Sequence, residues 1–71
     1  MQVLCRHARD SYDTLMVAQG MENAGASVFS ITSSDDNYYA FIVWCKYDMD
    51  NNPDKIDSEI NKCREIPLEG R

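Results

Sequence analysis

Tyr38-Tyr39-Ala40-Phe41-Ile42-Val43-Trp44-Cys45-Lys46-Tyr47 is the stretch on which the fold turns, with five of the seven aromatic residues and the only tryptophan. Successive side chains of a strand point to opposite faces. One face would carry Tyr39, Phe41, Val43, Cys45 and Tyr47, and the other Tyr38, Ala40, Ile42 and Trp44. Both sets are apolar. A run this rich in aromatic and β-branched residues reads as a strand buried on both sides, and 71 residues leave little chain to cover both.

Working outward from that strand, residues 26–33 alternate as a second strand, with Phe29 and Ile31 on one face and Val28, Ser30 and Thr32 on the other. Ser34-Asp35-Asp36-Asn37 is a turn-forming cluster, so the two strands make an antiparallel hairpin. Upstream, residues 2–8 alternate so that Val3, Cys5 and His7 share a face and Gln2, Leu4 and Arg6 the other, which predicts a third, short strand. Either Asp10 or Ser11 can cap a helix from about Ser11 to Ala24, with Asp13 complementing the dipole in its first turn and Gly25 at the left-handed C-terminal position. Leu15, Ala18 and Met21 form its apolar stripe, widened by Val17 and Ala24.

Beyond Tyr47 comes a polar loop, and Asn52 and Pro53 then supply an N-cap and a first helical residue. Ile56, Ile60 and Cys63 fall on one face of the helix that follows, which ends near Glu65, before Pro67. The order is therefore β-α-β-β-α. It predicts a small α+β domain over residues 1–66, the first helix packed on a three-stranded, mainly antiparallel sheet, with a flexible tail at 67–71. The second helix could cover the second face of the sheet and make Trp44 core; a second copy or a foreign protein could equally do so.

A core this small supplies roughly 3–5 kcal/mol of net stability, so self-association would help it. No apolar run approaches the ~18 residues of a membrane-spanning helix, and the residues from Met1 to His7 lack a secretory layout. A cytoplasmic location is the expectation, and three cysteines, an odd number, favour reduced thiols over a disulfide framework.

The net charge of −5 comes from one segment. Residues 35–59 hold Asp35, Asp36, Asp48, Asp50, Asp54, Asp57 and Glu59 against Lys46 and Lys55, while acids and bases balance elsewhere. Such a segment repels nucleic acid and anionic membranes and suits a basic protein surface. The expected partner-binding residues are Asp35, Asp36, Tyr38, Trp44, Tyr47, Asp48 and Asp50: the acids for charge, the aromatics as anchors.

Three other chemistries are written weakly in the chain. Cys5, His7, Cys45 and Cys63 have the donor types of a tetrahedral zinc site, but only Cys5 and His7 are local, where zinc knuckles pair their ligands. The window from Asp48 through Asp50, Asn52 and Asp54 to Glu59 resembles the calcium loop of an EF-hand. It departs from that loop at Pro53, where the family has glycine, and in following a strand where the family has a helix. A cysteine nucleophile with His7 as base lacks a glycine-rich cradle or nucleophile elbow, so neither enzyme nor cofactor is expected. In size, charge and lack of catalytic residues the chain resembles small acidic proteins, many phage-encoded, that inhibit a larger host enzyme or defence complex. The resemblance implies a non-enzymatic inhibitor or adaptor, and the uncovered strand predicts a homodimer whose contact includes the second face or the edge of the sheet. The rival is a regulatory module binding a metal or small ligand between two subunits, lined by the aromatics, Cys5, His7 and Cys45.

Overall fold

The computed structural model describes residues 1–33, 41–48 and 52–65. In chain order it has β1 (Gln2–Ala8), α1 (Ser11–Asn23), β2 (Ser27–Ser33), β3 (Phe41–Tyr47) and α2 (Pro53–Glu65). This is the predicted β-α-β-β-α domain. The sheet order is β1-β3-β2 with both pairings antiparallel, which puts the aromatic strand at the centre. The 34–37 turn and the 67–71 tail lie outside the described residues.

Asp10 caps α1, its side chain accepting from the Asp13 backbone N–H at 2.7 Å. At the other end the Gly25 N–H donates to the Glu22 carbonyl and the Ala26 N–H to the Met21 carbonyl. This paired closure needs a left-handed residue, and Gly25 has φ 94. α2 begins as the sequence reads: the Lys55 N–H donates to the Asn52 side chain at 2.8 Å, and Pro53 is the first helical residue. Asn52, Pro53 and Asp54 thus serve the helix start; Asp50 and Asn51 lie outside the described residues.

The core joins Ala8 of β1, Val17 and Met21 of α1 with Ala24 at its C-cap, Val43 and Cys45 of β3, and Ile56 and Ile60 of α2. The buried side of α1 differs from the predicted stripe. Leu15 is 60% exposed, whereas Asp13, Thr14, Val17, Gly20 and Met21 are buried. The reason is α2, which lies against α1 and claims Gly20: a Cβ there would stand 2.4 Å from Ile60 Cα and 2.6 Å from its backbone nitrogen. The two helices meet backbone to backbone at this glycine, and the stripe follows the contact rather than the largest side chains.

A second difference lies in β2. Val28 pairs with Cys45 and Ser30 with Trp44, so Phe29 is an extra residue, a β-bulge. The predicted strict alternation breaks there. Val28 and Ile31 fall on the helix side, opposite Cys45 and Val43, and Phe29 goes to the other side with Ser30 and Thr32.

Gly20→Ala tests the helix contact. In an exposed helix this change stabilises by about 1 kcal/mol. Here the added carbon meets backbone that cannot rotate away, so the expected result in chemical denaturation is a loss of about 2–4 kcal/mol. A neutral or stabilised variant would remove the contact from the account.

Candidate functional site

Both helices occupy one side of the sheet. On β3 that side carries Phe41, Val43, Cys45 and Tyr47, and Tyr47 packs against the core. On β1 it carries Leu4, Arg6 and Ala8, which pair with Cys45, Val43 and Phe41. α2 is tied to this side. The Arg6 guanidinium donates twice to Asp57, at 2.7 and 2.9 Å, and Arg64 donates to Asp13 at 3.0 and 2.9 Å. The second helix therefore stacks beside α1 and does not lie on the other face of the sheet.

That open face is built by alternation. Val3, Cys5 and His7 of β1 stand opposite Lys46, Trp44 and Ile42 of β3, and Ser27, Ser30 and Thr32 of β2 flank them on the far side. Phe29 joins through its bulge, with Lys46 Nζ 5.3 Å above its ring. Val3 is 53% and Phe29 50% exposed, and Trp44, Ile42 and Cys5 are half-buried. Among the described residues no helix or loop covers these five, and none of the residues on this face is acidic.

Of the expected partner residues, Trp44 is on this face and Tyr47 on the opposite one, so those two aromatics do not form one patch. Asp48 is exposed just after β3, beside Met1, Gly25, Ser27, Lys46 and Tyr47 around a shallow hollow of about 210 Å³. Asp35, Asp36, Tyr38 and Asp50 lie outside the described residues. Sequence reasoning missed Phe29 and Val3 as members of the patch. The bulge that redirects Phe29 leaves no mark in the hydrophobic pattern, whereas the pairing of Val3 with Lys46 follows directly from alternation.

The zinc set does not assemble. Cys5 and His7 are on the open face, Cys45 is in the core beneath it, and Cys63 is on α2, where Asn23 Nδ2 lies 3.6 Å from its sulfur. Among the described residues no three potential ligands come together. Cys45 cannot sit with Cys5 because strand alternation sends them to opposite faces. Burial pushes the Cys45 thiol up, against a smaller opposing effect of the Arg6 charge, which keeps it protonated and unreactive. A second shallow hollow of about 380 Å³ on α2, lined by Asp54, Asp57, Ser58, Asn61, Lys62 and Glu65, lacks the apolar walls of a ligand pocket.

The acidic segment is partly spent within the molecule. Asp57 is held by Arg6, and Glu59 pairs with Lys62 at 3.0 Å. Asp13, only 5% exposed, is the most enclosed acid among the described residues. Burial pushes its carboxyl up, but the Arg64 fork, the Arg9 backbone N–H and the two arginine charges together hold it below the ordinary value. Asp57 is lowered chiefly by its hydrogen bonds from Arg6. Compared with models of known families, with curated proteins and with solved structures, the chain matches none.

These pairs fix an acid limit on stability. Both carboxyls titrate lower in the folded than in the unfolded chain, so the stability they add is present above the ordinary value of 3.8 and disappears as pH falls through the folded values. Thermal melts of the wild type should be level near neutrality and drop below about pH 4. Asp13→Asn should start about 2–4 kcal/mol lower at neutral pH, since Arg64 loses its charged partner, and should fall less steeply in acid. Parallel curves for the two proteins would remove Asp13 from this role.

Proposed function

We propose that this chain is a small non-enzymatic protein-binding domain of the inhibitor or adaptor kind, working as a homodimer and presenting acids to a basic partner. The observation that carries the reading is the apolar sheet face left by the placement of both helices on one side. Val3 and Phe29, about half exposed, lie in one patch with half-buried Trp44 and Ile42, and such an apolar patch is what a protein surface covers.

Two further observations support it. The groups that could carry covalent or metal chemistry are dispersed over both faces of the sheet and α2. The charge excess of residues 35–59 gives long-range attraction to a cationic surface, which speeds association and weakens with salt. No described helix is long and apolar enough to cross a membrane.

The test is site-specific photo-crosslinking in cells. A benzophenone-bearing phenylalanine in place of Phe29 should give covalent adducts with protein, whereas the same group in place of Leu15, on the outer side of α1, should give few. Absence of protein adducts from position 29 would overturn the reading. The charge component has its own check: Asp35→Lys with Asp36→Lys should slow association with a basic partner several-fold at low salt, and an unchanged rate would discard it.

A further inference from the structure

We infer that the open sheet face is the docking site for a second copy of this chain, the two sheets stacking face to face with their helices outward. The inference rests on the protein-binding reading and names the occupant of that surface. It also divides the labour: the face takes another copy, and the acidic segment is left for the foreign partner.

The first argument is where the charge lies. A chain of net charge −5 repels its own copy through most of its surface. Among the described residues the acids sit on or beside the helices and after β3: Asp10, Asp13 and Glu22, then Asp48, Asp54, Asp57, Glu59 and Glu65. The open face has none and carries Lys46 and His7. In a face-to-face stack the sheets lie ~10 Å apart with each helix layer ~10 Å beyond, so the two helix layers are separated by about 30 Å. That is several times the screening length of about 8–10 Å, and the repulsion is largely lost. A basic foreign protein, by contrast, finds no acid among the described residues of this face to attract it.

The second argument is that both edges of the sheet are blunted. On β1 the carbonyl of Cys5 accepts from Arg6 at 2.8 Å and that of His7 from Arg64 at 3.2 Å. Cys5 and His7 are two residues apart, so these carbonyls point to the same side of the strand. On β2 the bulge at Phe29, which lies in the ladder with β3, bends the strand that forms the other edge. Guanidiniums and bulges are devices that discourage edge-to-edge pairing, which leaves stacking as the way for two sheets to meet.

Area sets the strength. Three strands of seven residues span about 14 Å by 23 Å, so two copies cover about 650 Å² in projection. Projection understates the accessible surface buried, but a contact of this extent sits at the small end of specific interfaces, and association should be weak.

Sedimentation velocity and native mass spectrometry of the reduced protein, from low micromolar to near-millimolar concentration, test the inference. The expected result is a monomer that becomes a dimer as concentration rises, with Trp44 emission moving to the blue. Val3→Lys with Phe29→Lys should raise the dissociation constant at least about tenfold, and Leu15→Lys should leave it unchanged, each variant keeping the wild-type circular dichroism. If the double variant does not fold, Val3→Lys alone is the readout. A wild type that stays monomeric throughout, or a dimer indifferent to the face substitutions, overturns the inference. In the monomeric case, adducts to a foreign protein from position 29 would keep the protein-binding reading, and their absence would remove that as well.

Discussion

The approach of α2 to Gly20 is the contact on which the rest of the molecule depends. Where α1 carries a hydrogen instead of a methyl, the backbone of Ile60 comes close enough that a Cβ would stand 2.4 Å from its Cα. This is what lets two thirteen-residue helices share one side of a three-stranded sheet. With both helices there, Val43 and Cys45 are fully buried while Trp44 and Ile42, from the same strand, are half-buried and meet no helix among the described residues. The open face is the complement of the helix contact.

Two arginine forks then hold α2 in one orientation, and they differ in weight. Arg6 and Asp57 are each about a third or more exposed, so their pairing adds little beyond direction. Asp13 is buried and receives Arg64 at two oxygens together with the Arg9 backbone N–H, so removing its partner would strand a desolvated charge. Both forks join residues 51 apart in sequence and bring α2 against the first quarter of the chain. Packing at Gly20 sets how near α2 lies; the forks set its angle and register.

Much of this fold was legible in the residues. Asp10, Gly25, Asn52 and Pro53 act at the helix ends where their chemistry suits them, and the apolar run at 41–47 is the central strand. What escaped has physical causes. Gly20 looks neutral or unfavourable in a helix, and its value emerges only when a second helix is laid across it. The bulge at Phe29 shifts one residue without altering composition, which reverses the expected faces of Phe29 and Val28 relative to Ile31. Ile31 is 51% exposed although it lies on the helix side, at the outer strand, so its burial was not set by its hydrophobicity. Of the candidate site, Trp44 was legible from the lack of material to cover its face. Asp57 and Glu59, counted as partner-facing charge, have internal cations that only the tertiary contacts reveal.

The strand order β1-β3-β2 also bears on the sequence of events by which the chain acquires its structure. β3 meets β2 across one short connection but meets β1 only after α1 and β2 have been traversed. Loop closure for the first pairing is cheap in entropy, and for the second it is dear. β1 therefore joins late, onto a hairpin that already exists, and Arg6 and Ala8 come into place with it. Until then Asp57 lacks its arginine, so the strand that arrives last also completes the fastening of a helix already packed at Gly20.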